Sequence, residues 1–572
     1  MKKYLFIALA ALGFAACADK MDDVKSPAHN GELEESYIAI NLMAADVDSR
    51  AAEDTYGYEL GTEAERKINS AHFFFFDENG NPFNVNGAPA TAPGGNKNHM
   101  ALTITEATTS GMPNVSDIKE AVLVLNTYKG VYPSKIVAVL NWTPAERAYS
   151  LAELHDVMAD LNTNGYVMTN SVYMDGAGKV VDATPLTAAN IKTSAEAAIA
   201  APVEIYVERI AAKVVLTAGG KVAGTENIFD TQKDSTPILS AGVSSEIDVY
   251  VKLFGWELYN DYATTNLLKD IENWDVATLG LTWNDIPYYR CYWAASQNVD
   301  PEDSFSWSYD DYASKGFKTK YGFNVAPQAD SEYTDATTYT YCGENTTTNY
   351  RTKVILKGQL MKKNGEDFEP IELARWYGTE YAGNEALRIA VANSIKYTLY
   401  YYDEENSKYI SVAPEHLQCV KGKDVDANAK SYEVGFQLSN EGAAKTWYKY
   451  DSEKGYVVMG DNAVNGDNTA KANEYLATVE PALLYAEGMT YYSVDIKHLG
   501  ATGKTAEYGV VRNHVYQIDI ESIKGYGSPV YSGLDFVVDQ PEYPVEDEAS
   551  YVAAKINVLS WKVVKQGVDI VQ

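Results

Sequence analysis

The sequence predicts a mainly β protein built from packed β-sandwiches. Three observations carry that reading: short strand-like runs that alternate or are apolar throughout, turn-forming dipeptides between them, and long polar loops. With 572 residues the chain has room for roughly two to four domains. Its 46% hydrophobic content, with 44 Tyr and 9 Trp, is enough to bury large cores and excludes a disordered chain.

At the N-terminus, Lys2 and Lys3 precede an apolar run from Tyr4 to Phe14 and the small residues Ala15-Ala16 before Cys17. This is the layout of an export signal. The run is too short for a transmembrane helix, which takes about 20 apolar residues. Phe14-Ala15-Ala16-Cys17 resembles a bacterial lipobox, in which Cys17 is lipidated and becomes the new N-terminus, although Phe stands where Leu is commoner. The alternative is an ordinary signal peptide with an incidental cysteine. Residues 1–17 are thus read as the signal and 18–50 as a propeptide.

A strand is expected over Tyr37-Ile38-Ala39-Ile40-Asn41-Leu42, followed by an isolated arginine in Ser49-Arg50-Ala51. Ala71–Phe76 is a strand running into the turn Asp77-Glu78-Asn79-Gly80-Asn81-Pro82. Residues 121–125 and 135–140 are continuous apolar runs of the kind buried on both faces. Further strands are expected over Glu204–Arg209 and Lys213–Leu216. One helix is expected between them: Ser150 and Glu153 have capping-box spacing, and Leu151, Leu154, Met158 and Leu161 line one face.

The Gly/Ala-rich stretch at Ala218-Gly219-Gly220, with polar turn residues to about Ser245, marks a boundary between domains over 51–220 and 221–537. Strict alternation then puts Ile247, Val249, Val251 and Leu253 on one face, and later strands are expected over Thr352–Leu360, Tyr397–Tyr402, Thr490–Ile496 and Val510–Ile520. No period strong enough to be a repeat occurs. The acidic, proline-bearing segment Val538–Ser550 reads as an extended linker. It puts the last strand, Lys555–Val563, on a leash outside the compact domain. The ends thus pair a strand that a protease can remove with a terminal strand that can replace it.

Several chemistries are excluded or unsupported. The net charge of −32 repels phosphate backbones, so nucleic acid is a poor partner. Beyond Cys17, the three cysteines Cys291, Cys342 and Cys419 are odd in number and lack CxxC spacing, which supports neither a disulfide framework nor thiolate metal binding. The histidines at 29, 72, 99, 155, 416, 498 and 514 show no ligand spacing. Asp77–Asn81 carries the oxygens of a calcium loop but its glycine is misplaced, and an Asn-Gly turn explains it better. Asp461–Asn468 reads as a polar loop before an ion site. No G-x-S-x-G occurs. The aromatics Trp283, Tyr288, Tyr289, Tyr292 and Trp293 suit sandwich packing better than sugar stacking. Enzyme activity is therefore unsupported, and no metal site is nominated.

One segment is familiar. Gly509-Val510-Val511-Arg512-Asn513-His514-Val515-Tyr516-Gln517-Ile518-Asp519-Ile520, then Ile523-Lys524 and Ile556-Asn557-Val558-Leu559-Ser560-Trp561-Lys562-Val563, resemble the Bacteroidales fimbrillins, in particular the minor-fimbrium (Mfa-type) shaft subunits of type V pili. Phe73–Asp77, Val137–Trp142 and Val207–Lys213 resemble that family less specifically. The resemblance implies two transthyretin-like β-sandwich domains with a detachable N-terminal strand and an extended C-terminal donor strand. It implies export as a palmitate-bearing outer-membrane lipoprotein, cleavage at Arg50-Ala51 by an Arg-specific surface protease, and loss of the strand bearing Tyr37, Ile38, Ile40 and Leu42. The donor strand of another copy, with Ile556, Val558, Leu559, Trp561, Val563, Val568 and Ile570, would then fill the groove. A homopolymer with accessory tip and anchor subunits, serving adhesion and biofilm formation, follows from the same resemblance. Strand alternation leaves open which face of the donor enters. The competing reading is a monomeric or pilus-tip surface lipoprotein adhesin that binds host or glycan ligands.

Overall fold

The computed structural model describes residues 33–45, 56–58, 61–85, 97–102, 115–128, 130–171, 173–174, 180–231, 236–240, 243–259, 261–271, 321–322, 339–347, 351–427, 429, 433–460, 466–498, 502–529, 551–559 and 562–566. The protein is mainly β, with multiple sheets, as the sandwich expectation requires. Contacts divide it into two compact units. Unit 1 is Met1–Ala52, Leu60–Ala211 and Thr264–Gln297; unit 2 is Glu53–Glu59, Ala212–Ala263 and Asn298–Gln572. The contacts thus change units after Ala211, beside an expected division after residue 220.

Unit 1 is organised on one large sheet. Its strands are β1 (Leu33–Ala45), β2 (Ala71–Phe76), β3 (His99–Leu102), β4 (Val115–Tyr128), β5 (Lys135–Leu140), β6 (Met168–Asn170) and β7 (Val203–Arg209). They run in the order β3-β2-β5-β6-β7-β1-β4, with Thr184–Pro185 also paired to β5. The apolar runs of β2 and β5 are explained by burial on both faces, whereas in 121–125 only Ala121, Leu123 and Leu125 are buried and Val122 and Val124 are half-buried, so that run is covered on one face. Phe73 and Phe75 of β2 join Ile136, Ala138 and Leu140 of β5 in one core, whereas Phe74, Phe76, Val137 and Val139 enter a second core on the opposite face. A strand alternates its side chains, so only a strand covered twice can be buried at every position.

The turn after β2 is held by Asp77. Its Oδ1 accepts from the backbone N–H groups of Asn79 at 2.8 Å and Asn81 at 2.9 Å, and Gly80 supplies a φ of +83°. That carboxylate is committed to the turn, as the Asn-Gly reading expected.

The expected helix forms but is shorter than its apolar spacing suggested. The helix α1 (Leu151–Asp156) has the Ser150/Glu153 capping box: Glu153 N–H donates to Ser150 Oγ at 3.1 Å, and Ser150 N–H to Glu153 Oε2 at 2.6 Å. Val157 then turns extended, and Met158–Asp160 pairs as a strand with Thr264–Asn266. Met158 is exposed rather than on a helical face. Strand pairing from a segment distant in sequence has overridden the local period.

Unit 2 contains β8 (Ala212–Thr217), β9 (Val249–Tyr259), β10 (Tyr339–Cys342), β11 (Lys353–Asn364), α2 (Gly383–Ile395), β12 (Tyr400–Asp403), β13 (Lys408–Ser411), β14 (Trp447–Asp451), β15 (Gly455–Val458), α3 (Asp467–Leu476), β16 (Met489–Asp495), β17 (Val515–Lys524), β18 (Tyr551–Leu559) and β19 (Lys562–Gln566). In β9 the buried Val249, Val251 and Leu253 follow the expected alternation, while Ile247 ends the preceding strand. The helix α2 was not expected. Its Leu387, Val391 and Ile395 at four-residue spacing enter a core with Trp447, Phe436 and Leu476. Its start is satisfied from a distance, because Asn384 N–H donates to Glu372 Oε1 at 2.7 Å.

Two outcomes follow for unit 1. Phe74→Ala removes a fully buried ring that packs edge-on against Tyr149 at 5.7 Å. It is expected to cost about 3–5 kcal/mol, read as a lowered urea midpoint with little change in slope. On the same strand, His72 has its pKa lowered to about 4, first by burial and then by His99. A depressed folded pKa means that the unfolded chain binds the proton more readily. The stabilising contribution is therefore complete above about pH 6.5 and is lost as pH falls toward 4. Thermal melts between these values should fall for the wild type and flatten in His72→Gln.

Candidate functional site

The site begins with β1, which is an interior strand. It pairs antiparallel with β4 from Leu33↔Tyr128 to Ala45↔Val115, and parallel with β7 from Ile40↔Val203 to Ala44↔Val207. The register shifts between Met43 and Ala45, where a bulge ends the regular ladder. Of the expected strand residues, Ile38 is fully buried in the core with Leu123, Leu125 and Ile205. Tyr37 is half-buried; its N–H donates to Lys192 O at 2.8 Å and its carbonyl accepts from Lys192 N at 2.9 Å. Ile40 stands opposite Ala121 and Val203, and Leu42 opposite Lys119 and Ile205. The strand extends beyond the expected six residues at both ends.

Taking out such a strand exposes two unpaired edges at once, on β4 and on β7, and uncovers the core that Ile38 fills. Each lost backbone hydrogen bond costs on the order of 1 kcal/mol net, and more where its partner stays dry. Uncovering Ile38 costs roughly 1.5–3 kcal/mol.

The C-terminal strands lie in unit 2, in the sheet ordered Tyr56–Tyr58, β19, β18, β17, β8, β10. Ile556 of β18 stands opposite Ile518 of β17, and Val558 opposite Tyr516. β18 and β19 form an antiparallel pair, with Ile556↔Gln566, and Val563 stands opposite Gly57 of the short strand. Leu559 closes β18. This corrects the expectation that the last strand stands apart from its own domain: β17 offers an edge of matching β-rich sequence, and the terminal hairpin occupies it. Cys17, Arg50, Ala51, Trp561, Val568, Ile570 and the linker 538–550 lie outside the described residues. So do Cys291 and the aromatic group from Trp283 to Trp293.

The sequence blocks singled out by resemblance serve as internal supports. In Val207–Lys213, Glu208 pairs with Lys269 at 2.8 Å with both side chains buried, and Arg209 Nε donates to Glu65 O at 2.7 Å. Lys213 is also buried, with its ammonium 4.3 Å from the Tyr339 ring centroid. In the C-terminal block, Arg512 is fully buried; its N–H donates to Glu344 Oε2 at 3.1 Å and its Nη2 lies 3.5 Å from Oε1. Asn513 turns the chain at φ 56°, and β17 follows. Tyr516 Oη accepts from Val511 N–H at 2.8 Å and contacts His498 Nδ1 at 2.9 Å, and burial pushes its pKa well above the ordinary value. These groups fix where β17 starts. Sequence reasoning missed Glu344, Lys269 and His498, since their partners are 168, 61 and 18 positions away and carry no local signal.

Burial raises the Cys419 thiol to about 12 and the Cys342 thiol well above its usual value, so neither is a ready nucleophile. Among the described residues no group of three metal-ligating side chains occurs.

A multi-sheet β protein with an interior first strand and a paired terminal hairpin is the class the structure defines. Within it, residues 483–567 match the family described as "Major fimbrial subunit protein type IV, Fimbrillin, C-terminal", a stretch that takes in β16 to β19. By that match the chain is fimbrillin-like in its C-terminal part, and the family is one of structural subunits rather than enzymes. No curated protein matches the chain. Among solved structures, it is similar to a fimbrial assembly protein from Parabacteroides distasonis ATCC 8503, at 11% identity and TM-score 0.29, covering 59% of this chain and 86% of that one. It is similar to a fimbrilin (fimA) from Porphyromonas gingivalis W83, at 11% identity and TM-score 0.32, covering 91% and 96%. The tip fimbrial protein Mfa3 from Porphyromonas gingivalis gives 12% identity and TM-score 0.26, covering 91% and 99%.

If β1 fills a groove between β4 and β7, a chain starting at Ala51 should capture a synthetic peptide of residues 33–45. Isothermal titration should show binding, and an Ile38→Asp peptide should lose it by tenfold or more. That loss corresponds to about 1.4 kcal/mol, the smallest penalty expected for forcing a carboxylate into the dry site of Ile38.

Proposed function

We propose that this chain is the structural subunit of a cell-surface fimbria that polymerises by protease-activated donor-strand exchange and supports adhesion and biofilm formation. The family match supports the fimbrial role and the surface location. The observation that carries the mechanism is the double pairing of β1. A strand interior to its sheet, ending five residues before Arg50, is the element whose removal creates a groove with two edges and an apolar floor.

In this reading the precursor is exported and lipidated at Cys17, which holds it at the outer membrane. An Arg-specific surface protease cuts Arg50-Ala51, and β1 leaves with the propeptide. The segment carrying Ile556, Val558, Leu559, Trp561, Val563, Val568 and Ile570 then departs from its own β17 edge. It enters the β4/β7 groove of another copy by strand addition. Donor and acceptor are different surfaces, so the contact is heterologous and propagates into a filament. Tip and anchor subunits end the filament. The chain performs no catalysis and holds no cofactor in this scheme.

The test uses residues 18–572, lightly trimmed with trypsin and run unheated on SDS gels, beside a chain truncated after Ser550. The expected result is a ladder that appears only on trimming, starts with a product beginning at Ala51, and vanishes in the truncation. A single monomer band despite cleavage at Arg50 would overturn the shaft role.

A further inference from the structure

The small four-stranded sheet β13-β12-β14-β15 has an unusual outer face. Its registers pair Tyr400 with Ser411 and Tyr448, Tyr402 with Tyr409, and Tyr450 with Tyr456. Side chains opposite one another share a face, so Tyr400, Tyr402, Tyr409, Tyr448, Tyr450 and Tyr456 all stand on one side. The other side carries Tyr401 and Trp447, which pack into the unit 2 core. The tyrosine side is open: Tyr402 is 42% exposed, Tyr450 58% and Tyr456 37%.

The rings form one connected cluster. Tyr409 and Tyr456, from the two edge strands, stack at 3.9 Å. Tyr400, Tyr402, Tyr448 and Tyr450 meet this pair edge-on at 5.0–5.3 Å. Three of the six rings, Tyr402, Tyr450 and Tyr456, are exposed and Tyr400, Tyr409 and Tyr448 are half-buried among them, while the core of unit 2 is supplied by the opposite face. Contiguous exposed aromatic surface of this kind marks interaction sites.

The geometry narrows the occupant. Stacking a sugar ring needs a free, flat aromatic face, whereas here the rings are turned edge-on or already stacked on each other. They offer edges and phenol hydroxyls, the surface that tyrosine-rich protein interfaces use. No charged side chain occupies the tyrosine face itself. The hairpin tips at its two ends carry Asp403, Glu404 and Glu405 at one and Asp451 and Glu453 at the other, against Lys408 and Lys454. Asp403 and Asp451 are committed to their turns through backbone N–H groups, which leaves Glu404, Glu405 and Glu453 as exposed rim charges. An acidic rim on a chain of net charge −32 selects a basic partner.

We propose that the six-tyrosine face of this sheet is a docking surface for a lysine- or arginine-bearing segment of another protein. The tyrosines provide the buried centre and the acidic tips the orienting rim. The proposal is independent of strand exchange.

The test selects a phage-displayed random 12-residue peptide library on the wild-type chain. Counter-selection uses Tyr450→Ser/Tyr456→Ser, whose melting temperature serves as the control for folding. Expected clones are enriched in Lys and Arg, bind the serine variant about tenfold more weakly or worse, and keep binding to Tyr450→Phe/Tyr456→Phe. Their binding should weaken severalfold in Glu404→Gln/Glu405→Gln/Glu453→Gln and as salt rises toward 1 M. Failure to enrich any clone over the serine variant overturns the proposal. So does enrichment of clones without basic residues that ignore salt. Binding of neutral oligosaccharides on a glycan array, lost with the tyrosines, would overturn it in favour of a sugar. Tyrosine-dependent self-association in sedimentation would do so in favour of a second copy.

Discussion

The structure of unit 1 depends on the pairing of a single strand along both edges. In a sheet, each backbone N–H and C=O needs a partner, and water is the only substitute at an exposed edge. β1 lies between β7 and β4, so it supplies partners to two strands at once and closes the core over Ile38. An edge strand could leave at the cost of one ladder. An interior strand cannot leave without splitting the sheet into two parts that share a common need. That need is specific in direction and register, because β7 demands a parallel neighbour and β4 an antiparallel one. A strand that replaces β1 must meet both at once, which turns a gap in a sheet into a recognition site.

A gap of this kind is useful only if the rest of the fold survives it. Unit 1 has its remaining support away from β1: β2 and β5 are buried on both faces, and the buried Glu208–Lys269 pair holds the end of β7. Breaking such a pair by removing one partner typically costs about 3–5 kcal/mol, so it fixes geometry more firmly than surface charges do. In unit 2, the Arg512–Glu344 contact and the turn at Asn513 fix the start of β17, and hence the register that the terminal hairpin meets. The buried charges thus set positions rather than chemistry.

Much of this was legible in the sequence where the signal is local. The Phe73–Phe76 run, the capping box at Ser150 and the alternation from Val249 to Leu253 each declare their own environment, and the structure agrees. The helix beyond Asp156 was misread because Met158 and Leu161 keep helical spacing while the partner strand Thr264–Asn266 lies about a hundred residues away. The strand at Tyr37 was legible, but not its interior position, which depends on β4 and β7. The tyrosine face was invisible for the same reason: Tyr400, Tyr409, Tyr448 and Tyr456 are scattered in sequence and only the register gathers them. Periodicity reports which faces are buried; it does not report which strands are neighbours.

The paired terminal hairpin changes the energetics of the proposed assembly. A donor already lying against β17 must give up that ladder before it fills a groove, so one set of backbone pairings is exchanged for another and the net gain is smaller than the groove alone suggests. While β1 stays covalently attached, it competes at the effective concentration of an intramolecular strand, in the millimolar range for a short connection. A donor from another copy, free at micromolar concentration, loses that competition by about a thousandfold, or about 4 kcal/mol. Cutting between Ala45 and the Tyr56–Tyr58 strand removes the tether without altering any contact of β1 with its sheet. Once β1 dissociates it is diluted away, while neighbouring copies at the surface remain concentrated. Proteolysis in this scheme acts on concentration rather than on contact energy, and the direction of exchange follows from which strand is still attached.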